Sequence, residues 1–548
     1  MKNLWLKNYP PQVRHNIDEL KYDSLSDLMV NTSKIYGDKI AFTNLKTKIS
    51  YKKHIELSKI FASNLQKKFN VRKGDKIAIM LPNLLTYPVA LLGSYLAGAI
   101  IVNINPLYKS REIEDALKDS EAETIIVLDI FLSELNEVIS KTKIQNVIVC
   151  KVTDLLNPIM KIAVGLVMLI KNRKIIIEKE YLSFSKMLKK ETNLLEIKLT
   201  HDDIALLQYT GGTTGKSKAA VLTHRNILSN ILQLDSWVEH IIKKGNESII
   251  TALPLYHIFS FTVNLMYFYS IGSNNILVTN PRNIKDFVKI LKNNKFTVIT
   301  AVNTLFNLLL NSSNFKKLDF SNLKFSVGGG MSVLSSTASK WKSVTGVEIT
   351  QGYGLTETSP IVSINKIKDA YNGTIGLPVP STDISIRNDN GEEVSIDQEG
   401  ELCIKGPQVM TGYFKNIQET EKSFTDDGFF KTGDIATVNS EGFIKIVDRK
   451  KDMIISSGYN VYPNEIEDYV SQHHDVRECG VIGKPDLNRG ESIVLYVVRS
   501  NYSLSESDII SFCKNGLTEY KIPKKVKFIE EIPKNNVGKI LRRKLREL

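Results

Sequence analysis

Residues Tyr209-Thr210-Gly211-Gly212-Thr213-Thr214-Gly215-Lys216-Ser217-Lys218 have the composition of an anion-binding loop. Glycines let backbone N–H groups turn toward a bound anion with no Cβ in the way. Threonine hydroxyls add donors, and Lys218 supplies a point charge for phosphate. Gly215-Lys216-Ser217 invites comparison with a Walker A motif, but Thr210 stands where that motif needs its first glycine. Apolar Ile204–Leu207 precedes the loop, and strand-like Ala219–Leu222 follows it where Walker A requires a helix. A P-loop NTPase is thereby excluded, and a purely structural glycine turn stays open.

Other segments carry complementary chemistry. In Gln351-Gly352-Tyr353-Gly354-Leu355-Thr356-Glu357-Thr358, the Glu357 carboxylate is a hard oxygen ligand suited to Mg²⁺. Thr356 can hydrogen-bond a phosphate oxygen, and Thr210 is the second metal candidate. Gly328-Gly329-Gly330 follows strand-like Phe325–Val327 and permits close backbone approach by a ligand. Lys431-Thr432-Gly433-Asp434 sets a carboxylate after a glycine turn. Arg449, Lys451 and Lys539 would each, alone, read as solvated surface charge. His257 reads equally as pocket lining or as a satisfied core histidine.

In their order along the chain, these segments resemble the core motifs of the adenylate-forming superfamily, which includes acyl-CoA synthetases, peptide-synthetase adenylation domains and luciferases. The resemblance implies that Tyr209–Gly215 and Lys218 hold the β- and γ-phosphates, and that Gly328–Gly330 border adenine and the acyl carbonyl. It implies that Gln351–Gly354 complete the ATP site, with Tyr353 offering a flat face to adenine. Asp434 matches the ribose ligand, Arg449 a second ribose or phosphate contact, Lys451 the interdomain hinge and Lys539 the adenylation lysine. Gly458, in Ser457-Gly458-Tyr459-Asn460, falls at the pantetheine channel. Lys216 and Ala219 depart from the loop motif, where an uncharged residue and a glycine are usual. The stretch Asp427–Asp434 through Asp448–Met453 resembles the fatty acyl-CoA synthetase signature, with Phe429 and Lys431 replacing tryptophan and histidine. The implied activity is ATP-dependent conversion of a long-chain fatty acid to acyl-AMP and transfer to coenzyme A, releasing AMP and pyrophosphate. An adenylation module loading a carrier protein and a non-catalytic acyl or nucleotide sensor are the alternatives. Against the first, the chain ends nine residues after Lys539, and against the second, Glu357 and Lys539 are both present.

Positioning such groups requires a scaffold of alternating strands and helices. Apolar, β-branched runs at Lys76–Met80, Thr124–Val127, Asn146–Val149, Ile249–Ala252 and Thr297–Ala301 alternate with helical patterns, which predicts an α/β fold with largely parallel sheets. From about Gly376 short strand-like runs separated by turns such as Asp389-Asn390-Gly391 predict a β-rich subdomain. Helical Asn464–Gln472, strand-like Glu478–Ile482 and Ile493–Val498, and helical Glu506–Lys514 predict a compact α+β unit. The expected architecture is thus an adenylate-forming (ANL-type) α/β fold. It has a large N-terminal domain over 1–450, with a β-rich subdomain at about 376–450, and a small mobile C-terminal α+β domain over 451–548.

At 548 residues the chain exceeds one hydrophobic core, and 42% hydrophobic with 24% charged residues excludes intrinsic disorder. Lys plus Arg (72) exceed Asp plus Glu (59), giving +13, but no basic tract stands out, so nucleic acid is not an expected partner. The expected partners are the fatty acid, ATP and coenzyme A, with a homodimer also compatible. Four scattered cysteines fit a reduced, cytoplasmic compartment. Ile162–Ile170 is uncharged and flanked by Lys161, Lys171, Arg173 and Lys174, and is too short to span a bilayer. Two readings stay open for it: peripheral contact of segment 158–174 with the inner face of the cell membrane, or a core helix with a charged end.

Overall fold

The computed structural model describes residues 3–170, 181–189, 193–210, 217–456, 459–486, 490–535 and 538–548. Two large sheets dominate them. One has eight strands, and its centre is parallel: Ile204–Tyr209, Ile100–Asn103, Lys76–Met80, Thr124–Leu128 and Asn146–Cys150 lie side by side. The other has nine, parallel from Ile349–Gly354 through Phe325–Gly328, Val298–Ala301, Ser248–Thr251 and Asn274–Leu277 to Ile40–Asn44. Thr124–Leu128 and Val298–Ala301 are buried at every position. That is why they read as continuous apolar runs: strands covered on both faces have no wet side to mark with polar residues.

Helix Thr86–Leu96 is buried from Thr86 through Tyr95 and packs on Tyr51–Phe69. A helix apolar on all sides belongs inside a core. Ser260–Tyr267 is a π-helix with every residue buried. The wider turn is a form that recurs at functional sites.

A four-stranded antiparallel sheet, Asp383–Arg387, Gly400–Lys405, Phe430–Val438 and Ile444–Arg449, forms the β-rich part. The next sheet begins at Ile454–Ser456 and contains Val476–Asp486 paired antiparallel to Gly490–Arg499. Its core is separate, formed by residues such as Val461, Ile466, Val481 and Leu495. Arg542 pins the final helix to this sheet. Its Nη2 donates to both Glu467 carboxylate oxygens at 2.9 and 3.0 Å, and Glu467 also accepts the Val481 N–H at 2.8 Å. A buried charge needs such full pairing, and Lys539 lies three residues upstream of Arg542.

Three helices matter below: α1 (Pro158–Ile170), α2 (Ser335–Thr345) and α3 (Pro463–Val470). Asn157 starts α1 by accepting the Met160 N–H at 2.9 Å. Met160 and Val164 face the core, while Ile159, Ile162, Leu166 and Val167 are 79, 67, 55 and 51% exposed. The core-helix reading of this segment is therefore corrected: its apolar outer face meets solvent. Lys171, Arg173 and Lys174 lie outside the described residues. Among the described residues no helix is long and apolar enough to cross a membrane.

Gly376 sits at φ +86 on the entry to strand Leu377–Pro378, and a Cβ there would collide with the backbone of Ile364 and Asn365. Gly376→Ala is expected to lower unfolding stability by about 2–4 kcal/mol through left-handed strain plus overpacking. A urea midpoint equal to that of the parent protein would disprove the strain.

Candidate nucleotide and acyl site

The antiparallel pairing of Ile204–Tyr209 with Ala219–Thr223 brings both ends of the glycine-rich loop together at a cavity of about 2730 Å³. Gly211, Gly212, Thr213, Thr214, Gly215 and Lys216 lie outside the described residues. At the loop's base the Thr210 N–H donates to the Lys218 carbonyl at 2.9 Å, and Tyr209 anchors the strand end through a 2.8 Å bond from its hydroxyl to Asp119. Lys218 is ion-paired with Glu419 and lies over the Tyr413 ring, 5.2 Å from its centroid.

Across the cavity, strand Ile349–Gly354 delivers Tyr353, whose hydroxyl donates to Asp434 Oδ2 at 2.5 Å. Arg449, paired in register with Asp434 on the neighbouring strand, approaches Oδ1 through Nε at 3.2 Å. Asp434 is buried. Its two oxygens offer about four lone-pair sites, so two diol hydroxyls still have acceptors. Burial and the Asp434 charge push the Tyr353 phenol well up, and Asp434 raises Arg449. Tyr353 is thus a fixed neutral donor among the residues that line the cavity. Thr356 and Glu357 follow in a short 3₁₀ turn, and Tyr413 donates to Glu357 Oε1 at 2.8 Å. Glu357 lines the cavity, and its carboxylate is a hard oxygen donor of the kind that suits a magnesium ion.

Gly328 ends its strand where a Cβ would meet Val333 at 2.5 Å, and Gly330 has φ +78. Gly329 lies close to Phe259 and the Gly352 carbonyl. Gln351 is spent on scaffolding: its Oε1 accepts the Val333 N–H at 2.7 Å and its amide donates to the Thr374 carbonyl at 2.8 Å. Gly352 and Gly354 line the same wall. His257 joins them, its imidazole pulled down to about 4 by burial and then by Lys539, so it is neutral at ordinary pH. Val263, Tyr267, Val327 and Ile364 add apolar surface to the lining of the same cavity.

Lys539 reaches this site from the last unit. Gly538, at φ +87, rests against Val302 and Thr304, which leaves no room for a side chain. The Lys539 ammonium is pulled down to about 8, first by burial and then by Arg449, with Asp434 and Glu357 opposing. Lys451 is also held near 8, by desolvation and then Arg449. The structure thus gathers Tyr209, Thr210, Lys218, the Gly328–Gly330 turn, Gln351–Glu357, Asp434, Arg449, Lys451, Lys539 and His257 around one cavity. Gly458 lies outside the described residues. Sequence reasoning missed Tyr413, Glu419, Val302 and Thr304, which act only through partners distant in the chain.

Fold and site together define an enzyme of the adenylate-forming class. Residues 31–414 match the AMP-binding enzyme family and 465–539 its C-terminal domain. The chain belongs to the AMP-binding enzyme family. Among its relatives, a long-chain-fatty-acid–CoA ligase of Escherichia coli O157:H7 is 46% identical, covering 100% of this chain and 98% of the relative. One from Bacillus subtilis (strain 168) is 34% identical over 99% and 97%. In structure, ATP-bound MatB from Rhodopseudomonas palustris superposes with TM-score 0.81 at 26% identity, over 95% of this chain and 98% of that one. The anthranilate CoA ligase AuaEII with anthranoyl-AMP shares the fold, with TM-score 0.85 at 24% identity over 96% and 97%.

A lysine near 8 loses its charge as pH rises through that value. The kcat/KM of fatty-acid-dependent pyrophosphate release, which reports the free enzyme, is expected to fall above about pH 8. In whatever activity Lys539→Arg retains, the alkaline limb should move upward, because a guanidinium stays protonated. An unshifted limb would remove Lys539 as its source.

Proposed function

We propose that the protein is an AMP-forming ligase that activates long-chain fatty acids and transfers them to coenzyme A. The observation that carries this reading is the placement of Lys539 within reach of the charges of Asp434, Arg449 and Glu357, in a cavity that apolar residues also line. Full-length relatives at 46% identity named long-chain-fatty-acid–CoA ligase support the substrate class.

In the first half-reaction a fatty carboxylate oxygen bonds to the α-phosphorus of ATP, and the bond to the β-phosphate bridge breaks as pyrophosphate leaves. Asp434 accepts the ribose hydroxyls, Tyr353 faces adenine, and the glycine-rich loop with Lys218 holds the departing phosphates. Lys539 contacts the carboxylate and the α-phosphate, offsetting charge where it accumulates. Glu357, oriented by Tyr413, and Thr210 are the residues that would hold Mg²⁺, which when bound neutralises phosphate charge. The acyl chain lies along Val263 and Tyr267. In the second half-reaction the coenzyme A thiol loses its proton, sulfur bonds to the acyl carbon, and AMP departs. We place the unit boundary between Lys450 and Lys451, with Lys451 as the hinge about which the C-terminal unit turns between steps, bringing Gly458 to the pantetheine path. Closure keeps water from the acyl-adenylate.

Lys539→Ala is expected to slow pyrophosphate release by at least about 10²-fold, while thioester formation from supplied acyl-adenylate and coenzyme A proceeds. Equal losses in both would sink this division of labour.

The exposed apolar face of α1 favours a second element: peripheral docking on the inner face of the cell membrane, with Lys171, Arg173 and Lys174 reaching anionic headgroups. A cytoplasmic setting also fits four unpaired, buried cysteines. Each apolar side chain taken from water contributes about 1.5–3 kcal/mol. The double variant Ile162→Asp, Leu166→Asp should therefore reduce cosedimentation with phosphatidylglycerol vesicles at least about tenfold, without changing activity on a water-soluble short-chain acid. Undiminished cosedimentation would exclude α1 as the docking face.

A further inference from the structure

Helix α2 begins without a cap of its own. Leu334 precedes it in extended backbone and makes no side-chain cap bond. Its carbonyl takes the Thr337 N–H at 3.0 Å, so the N–H of Ser335, the first helical residue, is left to find an acceptor outside the helix. The acceptor comes from the C-terminal unit. Asp468 Oδ1 takes both the N–H and the hydroxyl of Ser335, each at 3.1 Å, and the Ser336 and Ser471 hydroxyls meet at 3.1 Å.

Asp468 is poorly placed for its own helix. It stands in the last turn of α3, which carries no basic residue there, and a carboxylate at a helix C-terminus opposes the dipole. Against the N-terminus of α2 the same charge is favourable. The residue suits the helix it docks on better than the helix that bears it. The start of α2 is itself tied to the site, because Val333 donates to Gln351 and Leu334 donates to Asn303 at 3.0 Å, just beyond the Gly328–Gly330 turn. The unit that carries Asp468 also carries Lys539, seated through Gly538 against Val302 and Thr304. One rigid movement of that unit breaks both contacts together.

We propose that Asp468 is a positioning residue for acyl-adenylate formation. By capping α2 from across the unit boundary, it holds the C-terminal unit in the orientation that presents Lys539. This rests on the ligase reading above.

Two variants remove the contact from opposite sides. Asp468→Ala puts a strong helix former in α3 and deletes an unfavourable charge there, so the unit itself should fold normally. Ser335→Pro deletes both donors at the first helical position, where proline is tolerated, and Leu334 already has the extended backbone that precedes proline. Each is expected to slow fatty-acid-dependent pyrophosphate release by about 2- to 30-fold, the range for a lost cap. Thioester formation from supplied acyl-adenylate and coenzyme A should be unchanged or faster, and Asp468→Asn, which keeps an acceptor, should retain most of the first activity. Equal losses in both half-reactions, or an unchanged first half-reaction in both variants, would overturn the proposal. A parent enzyme that releases no pyrophosphate with any fatty acid would overturn the ligase reading and this inference with it. An active parent with unaffected variants overturns the inference alone.

Discussion

Positive charge held out of water without enough negative charge to balance it is the constraint on which the rest of the site depends. Arg449, Lys451 and Lys539 act on one another, Asp434, Glu357 and Asp452 oppose them only in part, and burial first and then the neighbouring cations pull both lysines down to about 8. In the ligand-free protein this arrangement is unfavourable. A polyanion entering the cavity relieves it, and the relief is greatest where water is excluded and the fixed charges need no reorganisation. The neutral His257 imidazole beside them fits the same logic, since a further cation there would compete.

The imbalance also bears on how the two units sit. Lys539 is brought into a crowd of cations by a unit whose other contacts include single hydrogen bonds from neutral donors to carboxylates. Tyr462 donates to Glu399 at 2.5 Å, the Asn464 N–H donates to Asp448 at 2.9 Å, and Ser335 donates to Asp468. Hydrogen bonds to a charged group are each worth about 1.5–3 kcal/mol, enough to favour one orientation and open to reversal when the charge in the cavity changes. The rigid part is internal to each unit, as in the full pairing of Arg542 with Glu467. A molecule with strong bonds within its parts and modest bonds between them has the energetics for a hinge.

Much of this was legible in the sequence because the chemistry is local. A glycine-rich loop, a Tyr-Gly-Leu-Thr-Glu run and a Gly-Lys pair announce themselves within a few residues, and strands such as Lys76–Met80 stand where their apolar runs predicted. The illegible part is long-range. Tyr413 lies 56 positions from Glu357, Glu419 lies 201 from Lys218, and Asp468 lies 133 from Ser335. Each is an ordinary polar residue in its own segment, and nothing in its neighbours marks its partner. Gln351 shows the converse: inside a motif that reads as ligand-binding, its side chain is given to two backbone groups that shape the wall.

Helix α1 shows a third kind of limit. Its sequence is apolar on nearly every side, so periodicity had no polar stripe by which to orient it. The direction comes from the start of the helix, where the Asn157 N–H donates to Thr47 at 3.0 Å and Met160 and Val164 are turned inward. Once those are fixed, 3.6-residue geometry forces Ile159, Ile162 and Leu166 outward as one stripe. Such a stripe carries a standing free-energy cost in water, and that cost is removed at an apolar boundary. For an enzyme whose acyl substrate partitions into lipid, the face that is unfavourable in solution is the one that would bring the cavity to the phase where its substrate is concentrated.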